Sequence, residues 1–551
     1  MGFAAQHIER HQQVTILQDE LSVRYTTLQR QYDALQLEMV DYKTKAHYWE
    51  TQFNRFKSRE DLLKAEIEEL KAALRKREQQ LFGKKSEKST VSKENCPVAK
   101  GDAKKKGQQL GSQGHGRRDY SDLPTVEETV SLLEQDTICP CCGLPYETLA
   151  GTEDSEILEV INVKPYRRVI RRKQYKRQCS CPENTDAGLL TPPPSERLIP
   201  KSKLGISIWA HLLVKKFEYQ QPIHRTLAEL KGNGLALAKG TVTDGFQRLL
   251  PLLVPVYDGI VAKNMSAEHW HADETGWKVF ETITGKKNHR WFLWIFQNKE
   301  TVVYKIEKTR SSKVLINHFG KEPKGGVLNV DRYSAYKVIA KSGLFILAFC
   351  WAHVRRDFLN HSKAYPHQES FGLAWVEKIN YLYHLNNQRI QDEPGTKIYA
   401  EHDQALKEAV IKMQEAMDAA LLGNTLLPSA KKLLVSLKKH WAGLTVFVEH
   451  PEIPMDNNTA ERGLRGSVLG RKNYYGSGAV WSAELAAALF TLFGTLKLWQ
   501  INIHTWLLGY FYECALLGGE APENITKYLP WNMNEDQLKR FSEPPRYEET
   551  G

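Results

Sequence analysis

The sequence predicts a multidomain protein of mixed α/β class, and three observations carry that expectation. An apolar seam at heptad spacing runs from Val14 to Leu81, cysteines cluster at two places between Cys139 and Cys181, and strand-like alternation surrounds Asp273 and Asp331 before a long helical stretch begins. At 551 residues the chain is too long for one core and should divide into several domains.

A net charge of +11 favours a polyanionic partner, because lysines and arginines that neutralise phosphates release condensed counterions. No charged-then-apolar leader opens the chain, and no apolar run reaches the roughly 18 residues that a membrane helix needs. "GLFILAFCWAHV" is too short to span a bilayer and reads as a buried strand. Eight cysteines in so long a chain suggest metal ligation in a reducing compartment more than a disulfide framework. The expected location is therefore cytoplasmic, in association with the nucleoid, with no membrane partner.

Residues 1–82 read as a coiled coil. Steps of four and three from Val14 land on Leu21, Tyr25, Leu28, Tyr32, Leu35, Met39, Tyr42, Trp49, Phe53, Phe56, Leu63, Ile67, Leu70, Leu74 and Leu81, and only Gln18, Glu60 and Arg77 interrupt the apolar character. No Pro or Gly falls in this stretch, so it predicts one helix of roughly 100 Å with a partner helix, most simply a second copy of the chain. A helix folded back on its own chain is the alternative, since the seam holds many aromatics. Residues 83–125 then turn to Lys, Gly, Gln and Ser and read as a basic flexible linker.

Residues 126–190 read as a zinc-binding, DNA-contacting module. Cys139 and Cys142 form a C-x-x-C knuckle, Cys179 and Cys181 a closer pair, and four thiolates suit a closed tetrahedral Zn²⁺ site. Cys141 could replace Cys142, and four unliganded thiols are the alternative. Between the clusters, Lys164, Arg167, Arg168, Arg171 and Arg172 lie on one basic ribbon interleaved with Tyr166 and Tyr175, a density of cation that points to phosphate.

The stiff "TPPPSERLIP" leads into residues 195–262, three helical segments with a Gly232–Gly234 break. The third begins near Thr241. Helix, Gly-containing turn and helix is the helix-turn-helix outline, with Lys239, Thr241, Thr243 and Gln247 placed to reach a groove; a plain three-helix packing unit fits the sequence as well.

From residue 263 the pattern becomes strands. "EHWHADETGWKVF" alternates, with Gly276 expected to interrupt it, and "HRWFLWIFQN", "TVVYKIEK", "GGVLNV" and "LFILAF" follow. Acids at the ends of the first and fourth strands give the outline of a ribonuclease-H-like sheet, in two parts (263–362 and 451–518) around a helical insertion (363–450), with a C-terminal tail at 519–551. Asp273, Asp331 and Glu461, from three segments, can converge on divalent metal, because carboxylates are the hard ligands that Mg²⁺ or Mn²⁺ prefer. Asn457 and Asn458 stand where a helix cap is expected.

"LFGKKSEK", "CPCCG", "HADET", "VDRYSAY", "CWAHVRRDF" and "DNNTAERGLRGSVLGRKNYYGSG", in this order, resemble the transposases of the insertion-sequence-66 family, the DDE type of bacterial mobile elements. The resemblance implies that Asp273, Asp331 and Glu461 are the catalytic acids of a metal-dependent transposase, and that a zipper, zinc module and helix-turn-helix precede a ribonuclease-H-like domain. Its implied reaction is DNA strand cleavage and strand transfer at the ends of an insertion sequence, on double-stranded DNA of the terminal repeats and target. Arg462, Arg465, Arg471 and Lys472 beside Glu461, and His353, Arg355 and Arg356 after the buried strand, are expected to hold phosphates. A DNA-binding regulator whose acids are relics is the alternative.

Overall fold

The computed structural model describes residues 2–82, 165, 175–176, 189–190, 196–285, 288–320, 323–423 and 426–544. All four cysteines of the expected zinc site lie outside the described residues. So do Lys164, Arg167, Arg168, Arg171 and Arg172. Within residues 126–190 a two-residue ladder is described, β1 (Tyr175–Lys176) antiparallel to β2 (Leu189–Leu190). The chain divides into two compact units, Met1–Val91 with Trp351–Trp441, and Ser92–Cys350 with Ala442–Gly551.

The first unit is helical. α1 (Gly2–Phe82) is one helix of 81 residues, as the absence of Pro and of interior Gly requires, and carries exposed i,i+4 ion pairs such as Asp41–Lys45 at 2.6 Å. Its heptad residues from Val14 to Leu74 stand exposed. Near its C-terminal end Ala72 is buried, Arg75 Nη1 donates to Ala364 O at 2.7 Å, and Glu69 pairs with Lys432 at 2.8 Å. α7 (Trp351–Ala364), α8 (Glu369–Gln391), α9 (Lys397–Leu422) and α10 (Pro428–Lys439) complete the unit. α7 and α8 meet at Gly372, where a Cβ would strike Ser362 Oγ, and Phe358 stacks on Trp375 at 5.7 Å. α8 and α9 are joined by fully buried Arg389, whose guanidinium reaches Asp403 at 2.9 Å and Asn386 at 2.8 Å.

The second unit holds a five-stranded sheet in the order β5-β4-β3-β6-β7. β3 (His269–Lys278), β4 (Arg290–Gln297) and β5 (Val302–Glu307) form an antiparallel meander, while β6 (Gly326–Val330) and β7 (Phe345–Phe349) add parallel to β3 through crossovers containing α5 (Lys313–Phe319) and α6 (Ser334–Ala340). β6 is buried on both faces and apolar apart from Asn329, whose amide is hydrogen-bonded. Gly276 does not interrupt β3: it pairs with Phe292, and the strand runs two residues further.

Three helices precede the sheet: α2 (Ile206–Leu213), continued by a π-helical turn over Val214–Glu218, α3 (Ile223–Gly232) and α4 (Lys239–Met265). α4 begins two residues before the expected Thr241 and runs through Pro251 and Pro255. Its Asn264, fully buried, is a node of the core. The side-chain amide donates to Phe296 O and Thr301 Oγ1, its Oδ1 receives His318, and its main-chain oxygen accepts from the Trp270 indole.

Two short helices, α11 (Trp441–Leu444) and α12 (Val446–Glu449), precede α13 (Asn458–Tyr474), and the open edge of the sheet is closed by the helix that follows. α14 (Val480–Leu498) lies along β5, and Thr491 and Thr495, one turn apart, accept the Tyr304 and Val302 N–H groups at 2.8 and 3.1 Å. Side-chain hydroxyls thus occupy the edge amides that another strand would otherwise pair with. α15 (Ile503–Leu516) follows, and the segment expected as a tail folds onto it: Tyr528 is buried against Trp506 and Tyr510, and α16 (Glu535–Ser542) ends the described chain.

Candidate active site

The parallel register of β3 and β6 decides where the first two acids stand. His269, Trp270 and His271 face Val327, Leu328 and Asn329, so continuing the register by two residues brings Asp331, just past the end of β6, level with Asp273 in the middle of β3. Asp331 leaves β6 in a turn that its own carboxylate closes, accepting the Tyr333 N–H at 2.9 Å.

Glu461 arrives on α13 (Asn458–Tyr474), which packs across β3 and β4 on its buried residues Ala460, Leu464 and Ser467. Gly463 lets the helix approach: a Cβ there would meet Ile295 Cδ1 at 2.4 Å, and Tyr304 Oη donates to Gly463 O at 2.8 Å. At the far end Arg471 Nη1 donates to Thr275 Oγ1 at 3.2 Å and to Gly276 O, so this guanidinium anchors the helix to β3. Arg465 and Lys472 lie four and eleven residues beyond Glu461, on its helix face, and are exposed, as is Arg462.

The three acids share one electrostatic environment. Burial pushes the Asp273 carboxyl up to about 7; Glu274 adds repulsion, Asp331 and Glu461 add more, and the hydrogen bond from the Glu274 N–H acts the other way. A buried carboxyl raised further by neighbouring acids is one that a cation would relieve. Taken together, Asp273, Asp331 and Glu461 would offer only carboxylate oxygens, which would suit a hard divalent ion of the Mg²⁺ or Mn²⁺ kind.

A second carboxylate on β3 escaped the sequence reading. Glu274 is nearly fully buried and bonded to Arg310, with Nε at 2.7 Å, and to the Tyr336 hydroxyl. Arg310 stacks on the Tyr333 ring at 3.9 Å, and the Tyr333 hydroxyl donates to Arg310 O at 3.0 Å. The two tyrosines of "VDRYSAY" thus tie the Asp331 turn to the residue after Asp273. The signal was present: Trp270, Ala272 and Glu274 share one strand face, so an acid was due at a core position.

Asn457 occupies the position before α13 but makes no side-chain cap. Its amide is turned to the sheet, donating to Ala272 O at 2.7 Å and meeting His271 Nδ1 at 3.0 Å. Both faces of β3 are consequently covered, and His271 is buried where simple alternation expected exposure. Burial, with nearby His269, pushes His271 down to about 4.

The other expected site residues stand elsewhere. Lys239, Thr241, Thr243 and Gln247 are exposed along the first turns of α4. His353, Arg355 and Arg356 lie half-buried on α7 in the helical unit, where Arg355 Nε donates to Asn380 Oδ1 at 2.9 Å.

Comparison with known proteins agrees with a transposase. A model of the family described as "Transposase IS66 family" matches residues 201–485, just over half of the chain and both the sheet and α13. The chain belongs to this family. Two similar proteins come from Sinorhizobium fredii (strain NBRC 101917 / NGR234). "Uncharacterized protein y4jD" is 27% identical over 424 residues, covering 73% of this chain and 79% of its own length. "Uncharacterized protein y4hP" is 25% identical over 435 residues, covering 74% and 75%. Among the described residues no helix is long and apolar enough to cross a membrane.

Proposed function

We propose that the chain cuts DNA at the ends of its insertion sequence and joins the freed ends to target DNA, with Asp273, Asp331 and Glu461 as the catalytic acids of a ribonuclease-H-like domain. The observation that carries this reading is the coupling of the three acids: they come from β3, the end of β6 and α13, and Asp331 and Glu461 both act on Asp273. A sheet with an antiparallel meander and two added parallel strands, with one acid in the central strand and one just past the end of its parallel neighbour, supports the ribonuclease-H-like reading.

The acids would hold Mg²⁺ or Mn²⁺, and when bound such ions activate an attacking oxygen and stabilise the leaving oxygen of an in-line phosphodiester displacement. The remaining work falls to the protein. In the first step a water oxygen attacks the phosphodiester at the element end, and the bond to the 3′ oxygen breaks to leave a 3′-hydroxyl. In the second step that hydroxyl attacks a target phosphodiester and displaces a new 3′-hydroxyl, so one bond is exchanged for another without an external energy source. Arg465 and Lys472, on the stripe that carries Glu461, and exposed Arg462 hold the phosphates, and Arg355 and Arg356 of the helical unit are further DNA contacts.

Recognition of the ends belongs to the preceding segments. Lys239, Thr241 and Gln247 enter a groove as the reading edge of a helix-turn-helix. Cys139, Cys142, Cys179 and Cys181 hold Zn²⁺ in a module whose basic ribbon grips the backbone. The exposed seam of α1 pairs with the same seam of a second copy, which brings two ends together.

Glu461→Gln tests the reading. The substitution keeps volume and removes charge, so single-turnover cleavage of a labelled end in Mg²⁺ should fall by three or more powers of ten, about 4 kcal/mol. Binding to the same DNA in Ca²⁺ should be unchanged or tighter. Cleavage within about threefold of the parent, under 1 kcal/mol, would remove Glu461 from the site.

A further inference from the structure

Two asparagine–histidine pairs run side by side beneath the three acids. Asn329, two residues before Asp331, is fully buried. Its Nδ2 donates to Pro454 O at 2.8 Å and to Asp456 O at 3.3 Å, while its Oδ1 meets His269 Nε2 at 2.7 Å. Asn457, four residues before Glu461 and 1% exposed, repeats the arrangement: its Nδ2 donates to Ala272 O, and its Oδ1 meets His271 Nδ1. The two imidazoles lie 5.0 Å apart.

The main-chain contacts close the set. Asn457 O accepts the Glu461 N–H at 3.3 Å, and Asn457 N–H donates to Cys350 Sγ at 3.2 Å at the end of β7. One residue therefore touches the peptide that leads into Asp273 and the first helical turn that carries Glu461. The carbonyl partners fix the orientation of each amide, because only the NH₂ side can face Ala272 O, Pro454 O or Asp456 O. Each Oδ1 then faces a ring nitrogen, which must be the protonated one. His271 is held as the Nδ1–H tautomer and His269 as the Nε2–H tautomer.

We propose that Asn457 and His271, with Asn329 and His269 as a second rung, are positioning residues that set the spacing of Glu461 and Asp331 from Asp273. None of the four need touch metal or DNA. The inference rests on the reading of the three acids as ligands of a divalent ion. It follows from connectivity: β3, β6 and α13 are far apart in the chain, and these hydrogen bonds join the segments immediately next to the acids. Mg²⁺ demands near-ideal octahedral geometry, so an acid set held loosely should lose Mg²⁺ before the more forgiving Mn²⁺.

The test measures Mn²⁺ and Mg²⁺ binding to the full-length protein without DNA, by Mn²⁺ electron paramagnetic resonance and by Mg²⁺ competition. The variants are Asn457→Ala, His271→Ala, His271→Asn and Glu461→Gln. Asn457→Ala and His271→Ala should weaken Mg²⁺ at least tenfold and Mn²⁺ by less than threefold. In His271→Asn an amide NH₂ stands near the place of Nδ1–H, so it should recover Mg²⁺ binding to within threefold of the parent. Folding is checked by the unfolding midpoint in chelator, and His271→Asn keeps the test informative if Asn457→Ala does not fold, since failure of the conservative variant to rescue overturns the proposal. Equal loss of both ions, or parental Mg²⁺ affinity in Asn457→Ala, also overturns it. If instead Glu461→Gln binds both ions as the parent does, the acid reading itself has failed.

Discussion

At the residue scale, β3 beside Asp273 is held by side chains outside the proposed set of acids. Glu274 is the clearest, because a buried carboxylate survives only when paired, and here a guanidinium and a phenol share it. Burial raises its pKa, and the bonds from Tyr336 and Arg310 pull it back toward ionisation. Glu274→Ala should destabilise the sheet unit by about 2–3 kcal/mol, since it strands the fully buried Tyr336 hydroxyl and removes a charge-assisted bond. Glu274→Gln should cost about half as much, because an amide oxygen can still accept from Tyr336. Urea unfolding of the metal-free variants gives the order, and equal loss in the two would contradict it.

His318 gives the sheet unit a pH dependence. It is fully buried, stacked on Phe296 at 3.9 Å and bonded to Asn264 Oδ1 at 2.9 Å, and burial holds its pKa well below the ordinary 6.5. The unfolded chain binds this proton near 6.5 and the folded chain does not. The contribution is thus complete above that pH and is lost as the pH falls below it, by up to about 1.4 kcal/mol per unit. His318→Gln, which keeps a donor for Asn264, should flatten the slope between pH 6.5 and 5. An unchanged slope would assign the dependence to other groups.

At the scale of elements, close approach decides how helices lie. Gly245 of α4 sits on the Trp209 indole of α2, where a Cβ would come within 2.0 Å of ring carbon. An indole cannot fold away as a flexible chain end can. Gly245→Ala should therefore push α2 from α4 at a cost of about 1–3 kcal/mol, and DNA binding should weaken if α4 presents the reading edge. Thermal unfolding and retardation of an element end measure the two effects, and a midpoint equal to the parent's would refute the close packing. The exposed seam of α1 carries the opposite lesson, since more than a dozen large apolar residues face solvent in one chain. Removing residues 1–66 spares the contacts of Glu69, Ala72 and Arg75, and should convert the protein to a monomer by light scattering while Mn²⁺ binding persists. A truncated protein of unchanged oligomeric mass would show that assembly lies elsewhere.

At the scale of the whole molecule, what was legible in the sequence is what local periodicity and chemistry write there. The seam without Pro or Gly gave one long helix, and the alternation and apolar runs gave all five strands of the sheet in order. Asp331 and Glu461 stood out as acids at element ends, whereas Asp273, expected at a strand end, lies in the middle of β3. Three things depended on tertiary structure. Gly276 looks like a turn and is a strand residue, because β4 pairs along it. Asn457 looks like a cap and is a cross-link, because Ala272 O and His271 lie within its reach only after α13 crosses β3. Arg471 looks like a phosphate ligand, yet its Nη1 serves Thr275 and Gly276. Sequence spacing fixes neighbours on one strand or one helix, whereas a hydrogen bond between residues nearly two hundred positions apart exists only once the sheet has set its register. The three acids could therefore be proposed from the chain alone, while the hydrogen bonds that link the segments next to them could be found only in the fold.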